Sequence, residues 1–213
     1  ADAEAAAYLA GWHDVAWLAR FNPGIARFSD DGRTFHGAYG KRLEHLLKHT
    51  VAKLQSDRAS RQVVLPIFQT GDLWVSSKDI PCNTQLMLKI RQDRLHLTAI
   101  VRSQDVIWGL PYDHHAWWAM ALQLAKIIGV GVHSVTHFID SLHLYEPSAG
   151  FYEPDRVAKA KSATCRAFSH VWPLEVGSVE QLREALLQAR MAVEGYNSDR
   201  LTPSVQRLAE RLK

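Results

Sequence analysis

The chain has little cysteine and no long hydrophobic run. Cys82 and Cys165 are its two cysteines, a number too small for a disulfide framework and without the paired spacing of a zinc site. No stretch of about 20 apolar residues could span a membrane, and the chain does not open on a basic, apolar targeting pattern. We therefore expect a reduced, cytoplasmic protein that makes no contact with a membrane.

An excess of one charge sign is also missing. Lysine and arginine number 25 against 22 aspartate and glutamate, a formal net charge of +3. The basic residues are dispersed, so the sequence predicts no nucleic-acid interface, although an anionic small ligand fits the mild excess. The length predicts one domain over residues 1–213. The chain opens inside a helical pattern, so we expect a preceding segment.

Apolar periodicity predicts an α+β fold, with helices packed on a mainly antiparallel or mixed sheet. Period-3.6 patterns predict helices over 2–18, 39–55, 113–128, 154–165, 178–194 and 203–212. The helix over 113–128 is so apolar that we expect it to be the buried centre of the domain. The β-branched, apolar residues 61–69 predict a buried strand, and 132–145 reads as another; between them, alternation predicts a hairpin that turns at 92–94. Pro66 indicates a bulge or a sheet edge.

The hairpin could bring a thiol beside an arginine, because Cys82 opens its first strand and Arg102 closes its second. A nearby guanidinium would lower the thiol pKa from about 8.5 and favour the reactive thiolate. The alternative is that Cys82 is a small buried hydrophobe. No local signature of a papain-type protease surrounds it.

Other polar residues have two readings each. Arg102 with Ser103 could bind a phosphate or could be a solvated strand end. His143 and Tyr145 lie on one side of a strand and could reach one ligand or pack in the core. Asp113 reads first as a helix N-cap.

Metal binding is not expected. His114 and His115 are adjacent on a predicted helix, so their side chains do not converge on one ion.

Six motifs, in family order, resemble the thymidylate synthase superfamily, which includes the pyrimidine-nucleotide hydroxymethylases. The resemblance runs from Glu4 to about Tyr145, or two thirds of the chain. The motifs are GAYGKRL at 37–43, DRASRQ at 57–62, IPC at 80–82, RSQD at 102–105, GLPYD at 109–113 and SLHLY at 141–145.

The resemblance implies a catalytic group. Cys82 would add to carbon 6 of a pyrimidine nucleotide and make carbon 5 a nucleophile toward the one-carbon unit of 5,10-methylenetetrahydrofolate. Glu4 and Tyr39 would manage protons and water, and Asp113 completes the implied catalytic set. Hydride addition then gives a methyl product, and water gives a hydroxymethyl product.

The resemblance also implies a nucleotide-binding set and a homodimer. Arg61 would reach the partner subunit's phosphate site. The other implied contacts are Arg102, Ser103 and Asp105 near the phosphate, Gly109 and Asp113 at the base, and His143 with Tyr145 at the sugar 3′-hydroxyl.

Asp113 predicts the base. The synthases that act on dUMP have asparagine at this position, whereas a protonated carboxyl can donate to N3 of cytosine and accept from its 4-amine. A buried mismatch costs about 1–3 kcal/mol for each unpaired group, so the sequence predicts 5-hydroxymethylation of dCMP. Asn83 and Gln62 depart from the family pattern. Thymidylate synthesis from dUMP, CMP hydroxymethylation and a catalytically silent nucleotide- or RNA-binding homologue remain open alternatives.

Overall fold

A computed structural model describes residues 1–146, 174–196 and 201–213. The helix predicted over 154–165 lies outside these ranges, as does Cys165.

Four strands form one mixed sheet in the order β1-β2-β3-β4. β2 is antiparallel to both β1 and β3, and β4 runs parallel to β3. Their bounds are β1 Val63–Pro66, β2 Asn83–Arg91, β3 Arg94–Asp105 and β4 Gly131–His143. The sheet confirms the predicted α+β class, and Pro66 lies in an edge strand as expected.

The predicted hairpin is confirmed and joins β2 to β3 through a two-residue turn. Gln92 and Asp93 have positive φ angles of 51° and 54°. Such backbone angles suit the right-handed twist of a two-residue hairpin. Cys82 directly precedes β2, and Asp105 is the last residue of β3. The turn therefore fixes which residues meet at the far end of the pair.

The described part of the chain also contains seven α-helices and two 3-10 segments. The predicted helices over 178–194 and 203–212 are confirmed, with Ser178 and Thr202 as side-chain N-caps. The α-helices are α1 Asp2–Ala10, α2 Val15–Ala19, α3 Tyr39–Leu43, α4 Leu46–Ser56, α5 Gly109–Ile128, α6 Val179–Val193 and α7 Pro203–Leu212; the 3-10 segments are Pro23–Phe28 and Thr70–Leu73.

Two predicted helices are each divided in the structure. The pattern over 2–18 is not one helix, because Gly11 takes a left-handed φ of 84° and ends α1. Asp14 then accepts a hydrogen bond from the Trp17 amide and starts α2. The pattern over 39–55 is likewise divided between α3 and α4. Apolar spacing continues through both breaks, so periodicity alone does not show them.

The buried central helix is confirmed, but its start differs from the prediction. α5 begins at Gly109 and has Trp108 as its N-cap residue, so Asp113 lies inside the helix and is not a cap. Its side chain points into the protein, where it is 6% exposed. The N-cap interpretation is wrong because the apolar pattern weakens in the first turn, although the backbone there is already helical.

The core lies between α5 and the inner face of the sheet. Inward residues of β2 and β3 such as Leu86, Leu88 and Leu97 are almost fully buried, as is Trp117 of α5. α1, α4, α6 and α7 add apolar side chains to the same cluster. No described helix has the length and apolar character needed to cross a membrane.

Candidate active site

The open end of the hairpin, α1, α3 and the first turns of α5 meet around three buried polar side chains. Asn83, Gln104 and Asp113 are 0%, 3% and 6% exposed. Polar groups this deep need hydrogen-bond partners, since an unpaired one costs free energy. The partners they find define the candidate site.

Cys82 and Arg102 lie side by side where the two strands end. Arg102 Nη2 is 3.8 Å from Cys82 Sγ, and the Arg102 amide donates to the Cys82 carbonyl at 2.9 Å. The guanidinium is held by the carbonyls of Ile80 and Pro81, each at 2.9 Å. The hairpin therefore produces the thiol–guanidinium neighbourhood that the sequence suggested.

The thiol pKa does not fall as expected. Burial raises the pKa of Cys82 above its ordinary value, and the lowering by Arg102 only partly offsets this. The carboxylates of Asp113 and Asp79 add to the upward shift. The predicted lowering by Arg102 is present, but it does not set the net direction, because desolvation disfavours the thiolate more strongly.

Asp113 is the centre of the buried hydrogen bonds. Its Oδ2 accepts from Asn83 Nδ2 at 2.7 Å and from Gln104 Nε2 at 3.2 Å. Its Oδ1 accepts from the Tyr8 hydroxyl at 3.3 Å. Burial raises the pKa of Asp113 to about 6, although all three donors favour the ionised form and lower it. A carboxyl with this pKa can change protonation state near neutral pH.

Tyr39 is held against the same cluster. Its hydroxyl accepts from the backbone amide of Asn83 at 3.2 Å and from Asn83 Nδ2 at 3.1 Å. Trp117 Nε1 donates to Asn83 Oδ1 at 3.1 Å, and its ring stacks on Tyr39 with centroids 5.6 Å apart. Burial raises the pKa of Tyr39 above its ordinary value. The phenol therefore stays protonated as a hydrogen-bonding group at neutral pH.

Glu4 approaches the cluster from α1. The Tyr8 hydroxyl lies 3.1 Å from Glu4 Oε1. Burial, together with the nearby Asp113 charge, raises the pKa of Glu4 to about 7, although the Tyr8 hydrogen bond lowers it. A carboxyl with this pKa suits general acid–base work at neutral pH.

Close packing of α3 on α1 brings these groups together. A Cβ on Gly40 would collide with the backbone carbonyl of Ala7. The absence of a side chain there lets the two helices approach, so that the rings of Tyr8 and Tyr39 lie 5.0 Å apart.

Asp105 and Gly109 shape the start of α5. Asp105 Oδ1 accepts from the amides of Ile107 and Trp108, each at 2.6 Å, which fixes the turn into the helix. A Cβ on Gly109 would lie 2.6 Å from Gln104 Nε2, so glycine leaves room for that amide. These contacts fix the turn from β3 into α5 and the position of the Gln104 side chain.

The strand pairing places the remaining predicted nucleotide contacts. Ser103 is paired with Ser141, and Asp105 with His143, across β3 and β4. The rings of His143 and Tyr145 are 4.9 Å apart at 80°. The His143–Tyr145 pair thus lies beside the end of β3, next to the Asp105 turn.

Arg61 is away from this group. It lines a groove on the outer face of the sheet with Val64, Met87, Lys89 and Arg91. Its predicted contact with a partner subunit therefore belongs to the opposite face from the buried carboxyls.

The histidines on α5 have partners other than a metal. His115 Nε2 is 2.8 Å from Asp2 Oδ1, and His114 Nδ1 is 3.2 Å from His137 Nε2. Among the described residues, no group of three or more histidine, cysteine or acidic side chains could hold an ion.

Four residues of the site were not assigned to it by sequence reasoning: Tyr8, Asn83, Gln104 and Trp117. Tyr8 stands four residues after Glu4, the spacing that places two side chains on one face of a helix. Asn83 was visible as a departure from the family pattern beside the nucleophile, without a role. Gln104 and Trp117 had no signal of their own, since each contacts its partners only through the fold.

Comparisons with known proteins show which family the chain is similar to. The family model for thymidylate synthase matches residues 5–204. Deoxyuridylate hydroxymethyltransferase of Pseudomonas phage M6 is 42% identical over 147 residues, which cover 65% of this chain and 42% of that protein. The enzyme of the same name from Bacillus phage SP01 is 32% identical over 161 residues, 67% of this chain and 42% of its own length. This chain thus spans about two fifths of each of these relatives.

A solved structure shows the same fold. Thymidylate synthase from T4 phage superposes with a TM-score of 0.65 at 16% identity, covering 87% of this chain and 73% of that one. The match of the family model over most of the chain confirms the resemblance found in the motifs. The chain belongs to the thymidylate synthase family.

Proposed function

We propose that this protein is a folate-dependent 5-hydroxymethyltransferase of a pyrimidine deoxynucleotide, with dCMP as its preferred substrate. The observation that carries the proposal is the buried carboxyl of Asp113, which lies among amide donors within the cluster that Cys82 borders. The similarity to phage hydroxymethyltransferases supports the reaction class. The base preference rests on Asp113.

The chemistry begins at Cys82. Its thiolate forms a bond from sulfur to carbon 6 of the base, and the electron pair of the 5,6 double bond moves to make carbon 5 a nucleophile. Arg102 is the nearby cation that favours the thiolate, against burial that disfavours it. The raised thiol pKa predicts that the reaction rate increases on the alkaline side of neutral pH.

The one-carbon unit comes from 5,10-methylenetetrahydrofolate as co-substrate. At the start of α5, the half-buried rings of Trp108 and Tyr112 offer flat apolar surface that suits a pterin. Carbon 5 bonds to the one-carbon unit and then loses its own proton, and release of tetrahydrofolate leaves an exocyclic methylene on the pyrimidine. Addition of water to that methylene, with loss of the Cys82 sulfur from carbon 6, gives the 5-hydroxymethyl product.

Glu4 and Tyr39 are the proton-handling groups of this scheme. The Glu4 carboxyl has a pKa of about 7, so it can release and recover a proton at neutral pH. Tyr39 is close enough to Cys82 for the two groups to interact electrostatically, and the Asn83 amide holds its hydroxyl in place. Together they supply an acid–base group and a fixed hydroxyl near the reacting carbons.

The nucleotide itself is held at three further places. Arg102 and Ser103 bind the phosphate with Asp105 at the adjacent turn, Gly109 and Asp113 face the base, and His143 with Tyr145 holds the sugar 3′-hydroxyl. In a homodimer, Arg61 adds a second guanidinium to the partner subunit's phosphate. The dimer predicts that Arg61→Ala raises the KM for nucleotide and leaves the thiol chemistry of its own subunit intact.

A second candidate substrate is dUMP. The hydroxymethyltransferases of phages M6 and SP01 are named for deoxyuridylate. An ionised Asp113 would accept from the N3 hydrogen of uracil, and a neighbouring amide would donate to its 4-oxygen. The protonated form of Asp113 therefore favours dCMP, and the ionised form favours dUMP.

The test is to incubate the protein with dCMP, dUMP or CMP and methylenetetrahydrofolate in water enriched in oxygen-18. Loss of the carbon 5 hydrogen is followed alongside product mass. The expected result is labelled 5-hydroxymethyl product, formed fastest from dCMP. Faster hydroxymethylation of dUMP would transfer the assignment to the second candidate.

Other outcomes reject either the reaction class or the preference for a deoxynucleotide. A methyl product from dUMP with dihydrofolate would indicate thymidylate synthesis, and a preference for CMP would indicate a ribonucleotide enzyme. Absence of hydrogen loss at carbon 5 from every nucleotide, with nucleotide binding retained, would indicate a catalytically silent homologue.

A further inference from the structure

The Tyr8 hydroxyl lies between two carboxyl groups of different elements. It is 3.1 Å from Glu4 Oε1 on α1 and 3.3 Å from Asp113 Oδ1 on α5. A phenol carries one hydrogen and can donate it to one oxygen at a time. Both contacts are hydrogen bonds only if one carboxyl holds a proton and donates it to the phenol oxygen.

The surroundings favour a single shared proton. Tyr8 itself is 8% exposed and its pKa is raised by burial, so its own hydrogen stays on the oxygen at neutral pH. Two ionised carboxylates this close and this poorly solvated repel each other, which disfavours the doubly charged state.

Neighbouring elements place several other polar groups around Glu4 and Asp113. They are Tyr39 of α3, Cys82 and Asn83 at the start of β2, and Gln104 of β3. The asparagine and glutamine donate to Asp113 but do not titrate.

We propose that Tyr8 is a positioning residue that joins Glu4 and Asp113 into one proton-sharing unit, which sets the form of Asp113 that meets the base. When Glu4 holds the proton, it donates to the Tyr8 oxygen and Tyr8 donates to an ionised Asp113. A shift of both hydrogens leaves Glu4 ionised and Asp113 protonated, with no net gain or loss of protons. This inference rests on the proposed function.

The consequence is a link between base choice and the Glu4 proton. A protonated Asp113 can donate to N3 of cytosine, whereas an ionised Asp113 accepts from N3 of uracil. Binding of dCMP therefore draws the proton to Asp113 and leaves Glu4 as a base. Binding of dUMP leaves the proton on Glu4, which can then act as an acid.

The test measures dissociation constants of dCMP and dUMP from pH 5 to pH 9 by calorimetry, without folate. In the unmodified protein, the preference for dCMP should fall as pH rises, because Asp113 ionises. Tyr8→Phe removes the hydroxyl and keeps the ring that packs on Tyr39 and Trp117. Loss of a hydrogen bond that favours the ionised forms should move this fall upward by about one pH unit.

A matched control is Thr50→Val on α4, which removes a buried hydroxyl of the core and should leave the profile unchanged. If Tyr8→Phe does not fold, as judged by circular dichroism, Glu4→Gln replaces it. A glutamine amide donates permanently to Tyr8, so Tyr8 donates permanently to Asp113, and the fall should move to lower pH.

The possible failures are distinguishable. If neither nucleotide binds the unmodified protein, the proposed function fails. If both bind but the pH dependence of their ratio is unchanged in Tyr8→Phe, or in Glu4→Gln where that variant is used, the proton-sharing unit is rejected and the proposed function stands. An equal loss of affinity at every pH would mean a purely structural role and would also reject it.

Discussion

The two halves of the β2–β3 hairpin both contain deeply buried side chains, but these are apolar in one half and polar in the other. In the half next to the turn, Leu88 and Leu97 lie opposite each other and are 2% and 0% exposed. In the half next to Cys82, Asn83 and Gln104 are 0% and 3% exposed. α5 packs on the sheet and shows the same division, with Asp113 in its first turns and Leu124 further along.

The difference separates what stabilises the fold from what performs the chemistry. Burial of apolar surface contributes about 25 cal/mol per Å² and needs no particular partner. Buried amides and carboxyls repay their desolvation only through specific hydrogen bonds. Asn83 illustrates this, since its side chain contacts Tyr39, Asp113 and Trp117 at once. Changes in the apolar half should affect stability, and changes in the polar half should affect the reaction.

The largest effect is expected from Cys82→Ala in the polar half. Loss of the nucleophile should reduce exchange of the carbon 5 hydrogen by on the order of 10³-fold or more. Nucleotide binding and the melting temperature should change little, because the side chain is small. Cys165→Ala is the control that removes the other thiol. Near-normal exchange in Cys82→Ala would contradict covalent catalysis.

The opposite behaviour is expected from Leu97→Ala in the apolar half. Removal of a fully buried leucine should lower the free energy of unfolding by about 2–5 kcal/mol. The ratio of dCMP to dUMP turnover should stay constant in protein that remains folded. Urea denaturation gives the stability, and Leu187→Ala, on an α6 residue that is 44% exposed, is the control with little expected loss. A change in base preference would show that the halves are not separable.

Ionisation of Glu4 should lower the free energy of unfolding as the pH rises from about 4.5 to 7. Its pKa is raised from 4.5 to about 7 in the folded protein, so the folded state holds the proton more tightly than the unfolded state. The stability from this group is complete below about pH 4.5 and is lost as pH rises toward 7, by roughly 3 kcal/mol. Glu4→Gln should remove that loss.

The measurement is urea denaturation of both proteins at pH 4.5 and pH 8. Between pH 4.5 and pH 8, the free energy of unfolding should fall less in Glu4→Gln than in the unmodified protein. An unchanged difference between the two pH values would mean that Glu4 ionises in the folded protein as freely as in the unfolded chain. Glu184→Gln, on an α6 side chain, serves as a control for removal of a carboxylate.

The smallest effect is a change of preference by Asp113→Asn. An amide can accept from N3 of uracil and donate to its 4-oxygen, and it mismatches cytosine. The ratio of kcat/KM for dUMP over dCMP should rise by roughly 10- to 100-fold, equivalent to about 1–3 kcal/mol for one buried mismatch. Competition between the two nucleotides measures the ratio directly, with Asp140→Asn on the exposed part of β4 as control. An unchanged ratio would remove Asp113 from base recognition.

Most of the hairpin and the central helix could be predicted, because alternation and helical spacing report burial on a single element. The helix breaks at Gly11 and between α3 and α4 could not, since apolar spacing continues through them. Asp113 was misread as a cap because the residues before it lack an apolar stripe. The direction of the Cys82 pKa required the depth of the thiol, which no neighbour in sequence reveals.

The sequence by itself determined the family, through six short motifs in order, and it determined the strands that bring Cys82 to Arg102. Those features are local, or follow from one two-residue turn. Only the tertiary structure decided that Tyr8 links Glu4 to Asp113 and that Gln104 and Asn83 hold Asp113 in place. These contacts join α1, β2, β3 and α5 across up to 105 positions, and they exist only where packing removes water from the groups that make them.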